Sequence, residues 1–135
     1  MIFNFGKKSM EQYYTLTPIL QKIAFTSLGL DLMDFAIICG HRPETEQTKA
    51  FNKGASRVQW PDSKHNKIPA RAMDCVPYVN EKISWNHFYC CVLAGIILAT
   101  AKHHDINLRW GGNWDMDGEP ITDQDFQDLC HYELI

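Results

Sequence analysis

The sequence predicts an α+β fold in which a small, mainly antiparallel sheet packs against helices. Helical patterns and short apolar runs follow one another in mixed order, without the strict strand–helix alternation of a parallel α/β protein. The 135 residues suffice for one domain with a buried core. Hydrophobic residues make up 45% of the chain and charged residues 21%, as is ordinary for a globular protein. We therefore expect residues 1–135 to form a single domain.

The predicted elements of the first half are bounded by residues that start or stop regular structure. Thr17 and Pro18 are typical of a helix start, and apolar residues then recur with helical spacing as far as Gly29. A short, partly β-branched run that ends at Gly40 predicts a buried strand, and Gly54 closes a second helical pattern. The predicted order is a helix over 18–29, a strand over 34–39, a helix over 43–52 and an irregular segment over 55–69.

The second half should contain a strand that carries a carboxylate, followed by the longest helix. Side chains alternate along a strand, so Ala72 and Asp74 share one face of a strand that Pro77 should end. The 14 residues 88–101 are predominantly apolar but fewer than the ~20 that span a bilayer, which indicates a buried core helix. The predicted order is a strand over 70–78, a helix over 85–104, a strand over 107–110, a polar loop over 111–127 and a strand over 131–134.

Charge and cysteine content narrow the class of protein. A net charge of −3 gives no electrostatic case for a nucleic-acid partner or an anionic membrane. The N-terminal residues lack the charged and then apolar pattern of a signal peptide, and we expect no membrane insertion. The five cysteines include no Cys-x-x-Cys pair, and four of them lie in apolar segments. This pattern favours reduced, structural thiols and folding in a cytosol.

Histidines and carboxylates supply a candidate metal site. A catalytic zinc ion typically takes three ligands from His, Asp, Glu and Cys and leaves one position for water. His65 and Asp74 are nine residues apart, and any of the other five histidines could be the third ligand. His131 is favoured because Asp128 precedes it by three residues, where a carboxylate could act as general base on a metal-bound water.

The polar loop contains a second candidate site. Asn113, Asp115 and Asp117 occupy positions 1, 3 and 5 of a calcium-loop pattern, and Gly118 occupies position 6. Position 12 is Gln124 rather than the usual Glu, so the pattern leaves a regulatory Ca²⁺ site and a plain polar turn as alternatives.

Three segments together resemble a known family. GHRPETEQ (40–47), SKHNKIPARAMD (63–74) and DLCHYEL (128–134) are similar to the three signatures of the zinc D-Ala-D-Ala peptidases. Within that group they look most like phage L-alanyl-D-glutamate endopeptidases, which are endolysins. FNFGKKS, VPYVNEKISW and LRWGGNWD are similar to family members as well. The resemblance implies a hedgehog/D,D-peptidase-like fold and a zinc endopeptidase that cleaves the peptidoglycan stem peptide, with L-Ala-D-Glu as the expected bond.

The resemblance also assigns roles to residues. It implies that His65, Asp74 and His131 bind Zn²⁺ and that Asp128 is the catalytic base. Arg42 would steady the oxyanion or a nearby substrate carboxylate. The predicted substrate contacts are Ser63, which also supports the site by a hydrogen bond, Gln47 and Trp110; Trp110 and Trp114 could equally pack in the core.

Two departures from the family pattern lie beside these residues. The spacing from His65 to Asp74 is two residues longer than usual, with Ala70 in a Gly position. Cys130 stands where Pro or Gly is expected, and its thiol could compete for the metal. We expect the longer spacing to be absorbed in the loop at 66–69, without changing the face on which Asp74 lies.

We expect a monomer that acts on peptidoglycan. The resemblance further implies that the protein waits in the host cytoplasm until a holin gives it access to the wall. Two alternatives remain at this point. A D,D-carboxypeptidase or D-Ala-D-Ala dipeptidase would use the same zinc centre. A non-catalytic zinc-binding structural or tail-associated protein would keep the ligands without activity. Asp128 and Arg42 argue against the latter, because a structural zinc needs no base and no open coordination position.

Overall fold

The computed structural model describes all of residues 1–135 and confirms the α+β prediction. The elements are α1 (Lys7–Tyr13), α2 (Pro18–Gly29), β1 (Phe35–Cys39), α3 (Glu44–Asn52), a 3₁₀ turn (Lys64–Asn66), β2 (Ala72–Val79), β3 (Lys82–Ile83), α4 (His87–His103), β4 (Leu108–Gly111) and β5 (Asp128–Leu134). Strands β1, β2, β5 and β4 lie side by side in that order, every neighbouring pair is antiparallel, and β3 pairs with the end of β2. The sequence patterns did not predict α1 and β3.

Helices α2 and α4 pack together and contribute to one hydrophobic core with the sheet. The Thr17 hydroxyl accepts a hydrogen bond from the Leu20 N–H at 3.2 Å, which caps α2 as predicted. Helix α4 buries one face, including Leu93 and Ile97, but Phe88 is 82% exposed. The predicted core helix is thus buried on one face only, because only one side of α4 meets the sheet and α2. None of the helices has the length and apolarity needed to cross a bilayer.

Strand β2 lies between β1 and β5 and runs past the proline that was expected to end it. The Tyr78 N–H donates to the Asp34 carbonyl towards β1, so the nitrogen of Pro77 faces the other edge of the strand. There β5 pairs with β2 only over Ala72–Asp74. The missing N–H of Pro77 thus falls where no β5 partner requires it, and the strand continues.

Strand β5 begins at Asp128, three residues earlier than predicted. Its pairing with β4 shifts register, since Trp110 lies opposite Tyr132 whereas Gly111 lies opposite Asp128. A Cβ atom at Gly111 would collide with the Asp128 carbonyl oxygen, so glycine permits this close approach. The irregularity places Asp128 and His131 along the same cleft, although residues three apart in a regular strand point to opposite faces.

Candidate active site

The side chains of His65, Asp74 and His131 converge in the middle of the sheet. Asp74 on β2 lies opposite His131 on β5, and the 3₁₀ turn brings His65 over them. The distances are 3.1 Å from His65 Nε2 to Asp74 Oδ1, 3.2 Å from His65 Nε2 to His131 Nδ1, and 3.3 Å from His131 Nδ1 to Asp74 Oδ1. All three side chains are buried. The structure therefore brings together the three predicted ligands.

Hydrogen bonds on the far sides of the two rings indicate which nitrogens carry protons. His65 Nδ1 lies 2.7 Å from the Gly40 carbonyl oxygen, which can only accept, so Nδ1 donates. His131 Nε2 likewise donates to Glu133 Oε1 at 2.8 Å. In neutral rings the inward nitrogens then carry lone pairs, and they face each other and a carboxylate oxygen. Three acceptors this close together need a positive charge among them.

The pKa values of His65 and Asp74 reflect the same need for a positive charge among the three acceptors. Burial alone would lower the pKa of His65, but the charge of Asp74 and its hydrogen bond raise that pKa to about 10. Burial would raise the pKa of Asp74, yet the charge of His65 and hydrogen bonds from His131 and His65 hold it well below its usual range. Among protein groups alone, a proton supplies the positive charge, and a metal ion bound by the same atoms would supply it without a proton.

Cys39 offers another potential ligand beside His65. Cys39, His65 and Asp74 present ligand atoms within 4.8 Å of one another, so this group could hold a metal ion. The sulfur, however, lies 3.8 Å from Nδ1 of His65, the nitrogen that donates to Gly40. Asp74 and His131 instead face Nε2. One ion cannot bind at both edges of the ring, and the Nε2 edge has the free lone pair. The geometry therefore favours His131 over Cys39 as third ligand.

Glu133 holds the His131 ring in place, and it is not among the residues predicted for the site. Besides its hydrogen bond from His131, it accepts a hydrogen bond from Arg109 at 2.8 Å and forms an ion pair with Lys64 at 3.4 Å. A carboxylate behind a ligating histidine fixes the tautomer and orientation of the ring. The available signal was the alternation His131-x-Glu133, which places both side chains on one face of the strand.

Replacing Glu133 with Gln should lower the stability of the fold at neutral pH. Burial would raise the pKa of Glu133, but hydrogen bonds from His131 and Arg109 lower it from 4.5 to about 2. A lowered native pKa stabilises the fold above pH 4.5, and the contribution is lost as the pH falls towards 2. We expect a loss of about 2–3 kcal/mol at pH 7 in urea unfolding with a chelator present, narrowing below pH 4.5. Glu11→Gln, at an exposed site on α1, is the control. A loss of unfolding free energy in Glu133→Gln that is the same at every pH would contradict this account.

Asp128 lines the same cleft as His65 and His131, and its carboxyl group has a raised pKa. Burial, and then the charge of Asp74, raise its pKa above the usual value. The Cys130 thiol donates to Asp128 Oδ1 at 3.4 Å. Burial, together with the charges of Asp74 and Asp128, raises the pKa of Cys130 far above its usual range. Cys130 therefore stays protonated and supports the carboxylate rather than competing as a thiolate ligand.

Arg42 and Ser63 lie beside the three converging side chains. An Arg42 Nη atom donates to Asp74 Oδ2 at 3.3 Å, and the backbone N–H of Arg42 donates to the His65 carbonyl at 2.7 Å. The Ser63 hydroxyl accepts from the His65 N–H at 3.2 Å and so caps the turn that carries this histidine. Arg42 and Ser63 both line the cleft, as the prediction of a substrate contact requires.

Two predicted substrate contacts have structural roles instead. Gln47 is fully buried, accepts from Arg42 at 3.0 Å, and donates to the Val58 carbonyl and the Ser56 hydroxyl at 2.6 and 3.0 Å. It therefore links α3 to the following loop. Trp110 is 5% exposed, belongs to the hydrophobic core and donates its indole N–H to the Leu129 carbonyl. Neither side chain is free to meet a substrate, so both predictions are corrected.

Two clefts meet at this centre. One, of about 480 Å³, contains the aromatic wall of Trp114 and Phe126 next to His131. The other, of about 700 Å³, contains Trp85 and Cys130. Arg42, Ala55 and Asp128 line both clefts. Open space thus adjoins the centre in two clefts.

The loop before β5 forms a separate acidic cluster. Asp115, Asp117 and Asp123 bring carboxylate oxygens within 4.8 Å of one another, and all three are exposed. Asn113, which the sequence pattern placed among the ligands, instead donates its amide to the Asp117 carbonyl at 2.8 Å. The structure therefore substitutes Asp123 for Asn113 as the third member of the cluster. Desolvation and the two neighbouring carboxylates raise the pKa of Asp123.

The chain is similar to proteins of one described activity. Residues 1–135 match the family model described as phage L-alanyl-D-glutamate peptidase. The L-alanyl-D-glutamate peptidase of Escherichia phage T5 is 35% identical over 120 residues, which cover 88% of this chain and 87% of that protein. The crystal structure of the Serratia marcescens L-Ala D-Glu endopeptidase ChiX matches with a TM-score of 0.78 and 22% identity, covering 98% of this chain and 90% of that one. The structural likeness confirms the predicted fold.

Proposed function

Because the chain belongs to the phage L-alanyl-D-glutamate peptidase family, we propose that it is a zinc-dependent endopeptidase that hydrolyses the L-Ala-D-Glu bond of the peptidoglycan stem peptide. The observation that carries the zinc assignment is the mutual approach of three acceptor atoms on His65, Asp74 and His131. Residues 1–135 act as a single peptidase domain in this proposal.

The ligand atoms fit a tetrahedral ion. Atoms bound at about 2.0–2.1 Å in tetrahedral directions lie about 3.3 Å apart, and the three distances here are 3.1, 3.2 and 3.3 Å. Two histidines and one carboxylate leave a fourth position, as catalytic zinc sites do. When bound there, zinc would lower the pKa of a coordinated water to roughly 7 and so provide hydroxide at neutral pH.

Two side chains beside the ligands account for proton transfer and for charge stabilisation during hydrolysis. Asp128 accepts a proton from the attacking water and returns it to the departing amine, for which its raised pKa suits it. Arg42 is held by Gln47 and Asp74 at the edge of both clefts, where its charge offsets negative charge that develops on the scissile carbonyl oxygen. None of the five cysteines is needed as a nucleophile.

The two clefts favour an endopeptidase over the alternative of a D,D-carboxypeptidase or D-Ala-D-Ala dipeptidase. A carboxypeptidase needs one side of its site to end close to the reacting bond, in order to hold a terminal residue. Here two distinct clefts adjoin Asp128 and Arg42, so open space leads away from the centre along more than one path. A stem peptide could therefore extend through the site in both directions.

Mass spectrometry of digested, purified peptidoglycan tests the bond assignment. Cleavage at L-Ala-D-Glu should release fragments with a new D-Glu amino terminus and leave L-Ala as a new carboxyl terminus. Release of a terminal D-Ala would instead identify a carboxypeptidase. The digest should stop when a chelator removes the metal and resume when zinc is restored; hydrolysis that continues in chelator would remove the zinc assignment.

The acidic cluster supports a second, regulatory metal as part of the proposal. Carboxylate oxygens are the ligands that Ca²⁺ prefers, and a buried side-chain oxygen of the nearby Asn113 has no hydrogen-bond partner. Calcium at a hundredfold excess over its Kd should raise the Tm by about 5–10 °C. Asp117→Asn should remove that rise, whereas Asp125→Asn, at an exposed position outside the cluster, should keep it. An unchanged Tm in the wild type would leave the polar turn as the correct reading.

The proposal also covers the oligomeric state of the protein and its route to the cell wall. The protein acts as a monomer on peptidoglycan, accumulates in the host cytoplasm and reaches the wall only through a holin. Expression with and without a holin tests this route. Lysis in the absence of a holin, at equal protein levels, would contradict it.

A further inference from the structure

A row of neighbouring aromatic side chains runs from the candidate metal centre along the wall of the smaller cleft. The ring of Trp114 lies 5.6 Å from that of His131 and stacks on Phe126 at 6.2 Å with an interplanar angle of 14°. The Arg57 guanidinium lies over the other end of the row, 4.7 Å from the centre of the Phe126 ring. Arg57 thus has a defined place on the cleft wall.

Arg57 differs from the other basic side chains of this cleft because it has no acidic partner. Arg42 pairs with Asp74, while Lys64 and Arg109 both pair with Glu133. Arg57 forms no ion pair, although the acidic residues Asp62, Asp128 and Glu133 line the same cleft. A guanidinium that stacks through its face keeps its N–H edge free, and that edge matches a carboxylate with two parallel hydrogen bonds.

The residues on either side of Arg57 are tied to the scaffold of the candidate site. Gln47 Nε2 donates to the Ser56 hydroxyl at 3.0 Å and to the Val58 carbonyl at 2.6 Å. The Oε1 atom of the same amide accepts from Arg42 at 3.0 Å. One fully buried amide therefore positions both Arg57 and the arginine beside Asp74. The chain segment that carries Arg57 is therefore tied to the same scaffold as Arg42.

We propose that Arg57 is the specificity-determining residue that binds a free carboxylate on the glutamate of the substrate. This inference rests on the proposed function. A glutamate joined through its amine to alanine keeps two carboxyl groups, and where the peptide continues from one, the other stays free. The free carboxylate belongs to the glutamate whose amine is the leaving group, and only a few bonds separate it from the carbonyl carbon that is attacked. Arg57 recognises it from the cleft wall, with Phe126 as the platform that orients the guanidinium.

Two synthetic peptides test the assignment. Both contain the acyl-L-Ala-D-Glu bond and a continuing chain, and they differ only in whether the second glutamate carboxyl is free or a carboxamide. The wild type should hydrolyse the free-carboxylate peptide with a kcat/KM about 10- to 100-fold higher, as expected for a charge-assisted pair. Arg57→Gln should bring the two values close together, mainly through a higher KM for the free-carboxylate peptide with little change in kcat.

Matched variants separate recognition from folding. Arg57→Lys keeps the charge but not the planar fork, and Phe126→Leu keeps Arg57 but removes its platform, so each should retain part of the preference. Lys22→Gln removes a charge from an exposed site on α2 and should retain all of it. A wild-type preference that survives in Arg57→Gln, or no preference in the wild type, overturns this inference while the proposed function stands. Failure of the wild type to cleave either peptide overturns the proposed function, and the inference with it.

Discussion

Replacing Asp128 with Asn is expected to reduce hydrolysis of the L-Ala-D-Glu bond by about 10²- to 10⁴-fold, the usual contribution of a positioned general base. The amide has nearly the shape of the carboxylate, and its oxygen can still accept the hydrogen bond from the Cys130 thiol. The change therefore removes basicity with little change in packing. Zinc content and Tm should remain close to those of the wild type, because Asp128 is not one of the three converging ligands.

Asp125→Asn is the matched control for this prediction, since it makes the same chemical change three residues earlier at an exposed site. It should leave kcat within a factor of about two. The measurement is initial rates on a defined peptide, with zinc quantified in the same samples. Retained zinc with lost hydrolysis would also exclude a purely structural metal protein. Activity within tenfold of the wild type in Asp128→Asn would assign the base to another group.

Replacing His65 with Ala should abolish both zinc binding and hydrolysis. The change removes one of three ligands from a buried site, so zinc affinity should fall by more than the roughly 100-fold that losing a supporting partner can cost. The rise in Tm that zinc produces in the wild type should disappear at the same time, because that rise depends on binding to the native state. Competition with a chromophoric chelator and thermal unfolding with added zinc measure the two effects.

Two further variants test whether the loss of zinc binding is specific to His65 and which residue is the third ligand. His103→Ala, at an exposed position in the last turn of α4, should bind zinc like the wild type. Cys39→Ser distinguishes the two ligand sets, because the thiol lies by the Nδ1 edge of His65 rather than by Nε2. Zinc affinity within a few-fold of the wild type supports His131 as third ligand. A loss in Cys39→Ser as large as that in His65→Ala would mean that Cys39 takes that place.

Elements with clear end signals were predictable from the sequence. The cap and proline at Thr17–Pro18 and the apolar run before Gly40 correspond to the observed start of α2 and end of β1. Helix α1 has no such pattern, since its start at Gly6 has no side-chain cap and Ser9 is its one buried residue. It forms because the chain packs it on β1, where Ser9 accepts a hydrogen bond from the Ile37 N–H. Such tertiary support has no local signature.

The candidate site was partly predictable for a similar reason. His65, Asp74, Asp128 and His131 lie in short motifs whose order could be read along the chain. The roles of Gln47 and Trp110 depend on burial, which the sequence did not reveal. The contact of Arg57 with Phe126 joins residues 69 positions apart in loops without periodic patterns. Only the folded chain could show that they meet.

The register shift between β4 and β5 implies unequal tolerance of insertions and deletions along this chain. The chain between His65 and Asp74 includes a surface loop whose Ile68 is 83% exposed, and the two side chains meet at 3.1 Å despite their nine-residue spacing. Between Asp128 and His131 the length is tied to that register shift, because the two side chains face one cleft only while the irregularity opposite Gly111 offsets their three-residue spacing. Insertions and deletions should therefore accumulate between His65 and Asp74 and be absent between Asp128 and His131. A designer who grafts this site should keep Gly111 and the segment 128–131 as one unit.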